Sequence, residues 1–147
     1  MSPVSSDEKC IETTKELAAK RQIHAAILLF RTRDEFECAI TLAAAAEGLL
    51  PETDELHIFK VLKDSPDFKG LDINRFINWL KHPEGPNAAK ISEFEVTLII
   101  IRAISKFAAI YKKQSGLMSD FVKWAFEKGH LPVPADENVA STTSTGQ

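Results

Sequence analysis

Residues 92–111, SEFEVTLIIIRAISKFAAIY, decide the fold. Read as a helix at about 100° per residue, Phe94, Leu98, Ile101, Ile104, Phe107 and Tyr111 run along one face. Val96, Ile100, Ala103 and Ile110 cover a second face. A helix that is apolar on two sides needs other elements over both, so the segment predicts a central helix with partners packed around it. Ser92 with Glu95 three places on forms a capping box that predicts the start, and the pattern carries to about Gln114. Arg102 and Lys106 interrupt the apolar run from Val96 to Ile110, which is also too short to span a bilayer.

Working outward, the stretch Glu35 to Leu50 predicts a second central helix, opened by Asp34 and ended with the help of Pro51. Phe36, Ile40, Ala43 and Leu50 line one side, and Cys38, Leu42, Ala45 and Leu49 nearly the opposite side. The run of four alanines from Ala43 to Ala46 removes bulk and lets a neighbour approach closely. Glu47 falls at the border of the Phe36/Ile40/Ala43 stripe. A carboxylate at a core edge needs a cationic or hydrogen-bonding partner, so Glu47 reads first as one half of a structural ion pair and second as a catalytic acid.

The remaining helices follow from caps and breakers. Ser5 or Ser6, with Asp7 and Glu8 behind it, opens a first helix that runs to about Arg33 and faces the core with Ile23, Ala26, Ile27 and Phe30. Thr53 caps a short third helix to about Lys63, and Ser65-Pro66-Asp67 with Gly70 marks a loop. Asp72 opens a fourth helix that ends at His82, because Pro83 follows. Gly116 reads as a C-terminal cap for the long helix, and Ser119 starts a last amphipathic segment through Phe121, Trp124 and Ala125 that stops at Gly129. The sum is an all-α, single-domain bundle of five to six helices over residues 1–131, with two central apolar helices. Residues 132–147, rich in Pro, acid, Ser and Thr, predict a flexible tail.

Composition narrows the function classes. At 147 residues with 44% hydrophobic content, the chain can bury a core without disulfide or metal support. A net charge of −3 argues against a globally basic nucleic-acid binder. The charge is uneven: residues 1–59 hold 6 Lys/Arg against 11 Asp/Glu, residues 60–90 hold 6 against 4, and residues 106–130 hold 5 against 2. Such polarity helps two copies associate or brings an anion to the second half. Cys10 and Cys38 cannot build a disulfide framework, and Cys38 reads as a small buried hydrophobe. Nothing has the spacing of a metal site, a cofactor loop or a nucleophile elbow, and the polar N-terminus lacks the form of a secretory signal. The cytoplasm, with no membrane partner, is the expected location.

The chemically useful side chains gather in the fourth helix, RFINWLKH, residues 75–82. Ile73, Phe76, Ile77 and Leu80 form its inward stripe. Arg75, Asn78 and His82 fall within roughly 30° of the opposite direction, with Trp79 on their flank. A guanidinium, an amide and an imidazole on one outward stripe suit binding or catalysis, and equally a wetted surface. Trp79 reads either as an interface anchor or as a ring packed under a neighbouring loop, and Trp124 reads as core. His24, His57 and His130 read as exposed or capping imidazoles.

The helical size and the Arg75-(six residues)-His82 spacing resemble the HEPN superfamily, whose members carry an R-x(4–6)-H motif on a helix of a small bundle. The resemblance implies a homodimer with Arg75 and His82 lining a cleft between copies. In the active members, it implies RNA cleavage without metal. His82 would then handle the proton of the attacking 2′-hydroxyl or of the leaving oxygen, and Arg75 would bind the phosphate. Phe76 stands where that family usually has a polar residue. Three expectations result. The first is a non-catalytic, homodimeric interaction module that associates through Arg75, Asn78, Trp79 and His82 and needs no cofactor. The second is a HEPN-like endoribonuclease using Arg75 and His82. The third is a small apolar ligand in the groove between the second and fifth helices.

Overall fold

A computed structural model describes residues 7–53 and 72–132. The expected third helix, the loop after it and the tail lie outside the described residues. The described residues form five helices and no strand: α1 (Lys15–Arg33), α2 (Phe36–Leu49), α3 (Arg75–Lys81), α4 (Glu93–Tyr111) and α5 (Gly116–Glu127). This is an all-α bundle. The predicted fourth and fifth helices are α3 and α4.

Helix α4 is central. Val96 through Ile101 are buried without a break, followed by Ala103, Ile104 and Phe107. Buried Thr97 satisfies its hydroxyl by donating to the Glu93 carbonyl one turn back (2.8 Å). Ser92 caps the helix as expected, its Oγ accepting the Glu95 N–H at 3.2 Å. The far end comes three residues earlier than the periodicity suggests. Lys112 turns into the left-handed region at φ 57 and gives its N–H to Ala108, which ends α4 at Tyr111. Gly116 is therefore not a cap for α4. It is the first residue of α5, and Ser115 caps that helix by accepting the Met118 N–H at 3.2 Å. Gly129 at φ 83 follows the end of α5, where a left-handed residue is needed.

The first helix also starts later than expected. Thr14, not Ser5 or Ser6, is the cap, its Oγ1 accepting the Leu17 N–H at 3.0 Å. Between residues 7 and 14 the only aliphatic side chain is Ile11, which is 69% exposed. With no apolar face to bury, the segment lacks the packing energy that sustains a helix. At the other end, Asp34 terminates α1 in the left-handed region at φ 54, instead of capping α2 with its side chain. The two-residue turn Asp34–Glu35 folds α2 back against α1.

Helix α2 packs against α1, α3 and α4. One face is fully buried, and the opposite face is packed only in part, through half-buried Leu42 and Leu49. Ala39, Ile40, Ala43 and Ala46 are fully buried, whereas Cys38 and Ala45 are exposed. Cys38 is therefore not a core hydrophobe. The small residues draw α1 and α4 close on the alanine side, and the Cys38 side is left as the wall of an open trough. Helix α5 closes the bundle with Met118, Phe121 and Ala125. Trp124 joins an aromatic cluster there, 5.4 Å from Phe121 and 5.8 Å from Phe30 between ring centroids. Among the described residues no helix is long and apolar enough to cross a membrane.

Candidate functional site

Helix α3 is a single ridge of seven residues laid on the bundle by buried Phe76 and Ile77, with Leu80 half-buried beside them. Asp72 sets its start: Oδ1 accepts the Asn74 N–H at 3.0 Å, and its carbonyl accepts the Arg75 N–H at 3.3 Å. Pro83 sets its end. His82 is pushed into extended backbone at φ −124, ψ 143, because the proline ring disfavours a helical residue before it. A helical-wheel position thus no longer describes His82. It is exposed and makes no hydrogen bond or ion pair among the described residues.

The other polar side chains of the ridge divide between two hollows. Arg75 and Trp79 face one of about 300 Å³, shared with Phe76, Pro86, Ala89 and Lys90. Asn78 lines a second, of about 250 Å³, on the α2 and α4 side. His82 lines neither. The outward stripe expected from periodicity is exposed, but the structure does not gather it into one cleft.

In the first hollow both large side chains are held in place. Arg75 binds the carboxylate of Glu95 through Nη2 (2.9 Å to Oε1, 3.1 Å to Oε2) and Nε (3.3 Å to Oε2). Glu95 is the third residue of α4, and the Ser92 hydroxyl also donates to its Oε1 at 3.2 Å. The capping box is thus half-used, with its carboxylate turned outward to the guanidinium. The pair is more than half exposed on the Arg side, so it contributes at most about 1 kcal/mol. The Trp79 indole N–H donates to the Pro86 carbonyl at 2.7 Å. Gly85 comes so close that an added Cβ would lie 3.3 Å from Trp79 Cδ1. The connector after His82 therefore folds over Trp79.

The second hollow is polar. Glu47 meets Arg102 of α4, with Oε2 2.7 Å from Nε and both side chains about four-fifths buried. This supplies the cation that a carboxylate at a core edge requires. One turn on, Lys106 is only 6% exposed and donates from Nζ to the Glu47 carbonyl at 3.0 Å. Asn74, Asn78 and Lys81 form the facing wall. Sequence reasoning picked Glu47 and Asn78 but missed Arg102, Lys106, Asn74 and Lys81. The signal was available: the two cations inside the apolar α4 run are four residues apart, and so share a face.

No known family model, curated protein or solved structure matches this chain.

Two of the histidines do more than expected. His130 is half-buried and bonded to Glu93 (Nε2 to Oε1, 2.9 Å), with its ring against Phe94 and Trp124. His24 lies 2.7 Å from the Ser115 hydroxyl, tying α1 to the start of α5. Burial, and secondarily the Lys20 ammonium, holds the His24 imidazole below its ordinary value of 6.5. His57 lies outside the described residues.

Among the described residues, the groove between the predicted second and fifth helices has a mainly polar lining. Where α2 and α4 part, the lining is Glu47, Arg102 and Lys106. The apolar trough lies elsewhere, between α1 and α2, walled by Leu29, Cys38, Leu42 and Leu80, with a volume of about 450 Å³.

Proposed function

We propose that this protein is a small cytoplasmic association module that works as a homodimer, its α3 side meeting the same side of a second copy. One observation carries the reading: exposed Arg75, and Trp79 half-buried under the connector, line one hollow of about 300 Å³ and are each held by an intrachain partner. A side chain already immobilised gives up little further freedom on binding. Arg and Trp are also the residue types on which interface energy concentrates. The proposed surface also takes in exposed Asn78 and His82, although neither lines that hollow.

Charge distribution supports a two-fold arrangement. Helix α3 belongs to a basic segment and packs on α2, which belongs to the acidic one. A two-fold arrangement in which α3 of one copy lies against α2 of the other would set the basic segment beside the acidic one. Light scattering over a concentration series tests the reading. The wild-type protein is expected to dimerise, and Ala89→Arg, which fills the hollow from an exposed position, is expected to be monomeric with unchanged helix content. A wild-type protein strictly monomeric at high micromolar concentration, or a dimer indifferent to Ala89→Arg, overturns it.

The exposed imidazole of His82, without a hydrogen bond among the described residues, favours a second reading, a HEPN-like endoribonuclease that needs no metal. His82 would transfer the proton and Arg75 would exchange Glu95 for the RNA phosphate. RNA cleavage in chelator, compared between wild type and His82→Ala, tests it. Equal activity in both, or none in either, rules it out.

A further inference from the structure

The polar hollow between α2, α3 and α4 has a feature that a surface ion pair does not need. Lys106 is almost wholly buried, yet its ammonium, which carries three donors, makes a single hydrogen bond among the described residues, to the Glu47 carbonyl. A buried charge is stable only when its hydrogen-bonding capacity is met. Across the hollow, the side chains of Asn74, Asn78 and Lys81 make no hydrogen bond or ion pair among the described residues. Their spacing of four and three residues puts them in one row along the α3 segment. Unused N–H donors therefore line the space from both walls.

The charge in the hollow selects the ligand. Lys81, Arg102 and Lys106 stand against two carboxylates, Glu47 and Glu52, and Arg102 already meets Glu47. A cation would be placed beside a buried ammonium, and an apolar group would remove that ammonium from water without replacing the bonds. A compact oxyanion does neither. The C-terminal end of α2 carries partial negative charge that opposes an anion, but Lys106 itself donates to the carbonyl at that end. The space, about 250 Å³, is roughly eight water volumes, enough for a phosphoryl group and a few carbons.

We propose that this hollow binds a small phosphoryl anion, with Lys106 and Lys81 supplying charge and the Asn74 and Asn78 amides orienting the oxygens. The site uses neither Arg75 nor His82 and does not depend on dimerisation. The test follows the side-chain amide signals of Asn74 and Asn78 by NMR during titration with inorganic phosphate and, separately, with glycerol 3-phosphate. Saturable shifts are expected with at least one of the two. Tighter binding of glycerol 3-phosphate assigns the site to a phosphoester, and tighter binding of phosphate assigns it to the free ion. Lys106→Met should weaken binding at least about tenfold, as loss of a charge-assisted hydrogen bond requires. Lys81→Ala and Asn78→Asp change only exposed side chains, and they decide the matter if Lys106→Met does not fold. The proposal is overturned if neither anion gives a saturable shift up to high millimolar concentration. Affinity unchanged in the variants that fold overturns it equally.

Discussion

Replacing Glu47 by Gln should destabilise the bundle through Arg102 more than through Glu47 itself. The Glu47–Arg102 contact is 2.7 Å long, and the two side chains are 22% and 15% exposed. That places it between two regimes. A fully exposed pair contributes about 0–1 kcal/mol, whereas removing one partner of a fully buried pair costs about 3–5 kcal/mol. For this partial burial we expect about 2 kcal/mol, because the amide keeps the shape but removes the negative charge that faces the Arg102 guanidinium. In a chain of this size, that lowers Tm by about 4–8 °C.

Arg102 makes a further contact of its own, so single variants do not isolate the pair. A double-mutant cycle of Glu47→Gln, Arg102→Met and the combined variant, followed by urea unfolding, does. The coupling energy should be about 1–2 kcal/mol, and the double variant should be less destabilised than the two single losses added together. A coupling within about 0.3 kcal/mol of zero would mean that the two charges are independently solvated, and the structural role assigned to Glu47 would be refuted.

Gly85→Ala should cost about 1–2 kcal/mol, since φ at that position is 102 and the new methyl would crowd Trp79; thermal unfolding measures the loss, and an unchanged Tm would show that the connector does not need this conformation. Phe121→Ala should cost about 3–5 kcal/mol in urea unfolding, because the ring is 1% exposed and packs against Phe30 and Trp124. His24 predicts a pH dependence. Its folded pKa lies below the unfolded value of 6.5, so the unfolded chain takes up the proton first as pH falls. The stability contributed by neutral His24 is therefore fully present above pH 6.5 and is lost as pH falls through the lowered folded value. His24→Gln should flatten the stability profile below neutrality, and an unaltered profile would assign that dependence to another group.

What could be read from the chain alone was whatever depends on periodicity and local caps. Two apolar faces on residues 93–111 demanded a central helix, and Ser92 and Pro83 set one helix start and one helix end through bonds and clashes within a few residues. Glu47 could be recognised as needing a cation, because burial of a carboxylate has a known cost wherever it occurs. Which cation answers it is a different kind of fact. Arg102 is 55 residues away, and only the close approach of α2 and α4 across the small side chains of α2 brings the two together. The division of α3 into an Arg75/Trp79 side and an Asn78/Lys81 side came from the same source, whereas the displacement of His82 from both is local, set by Pro83. A helical wheel gives directions around one axis, but what stands in each direction is decided by neighbours that pack from far along the chain.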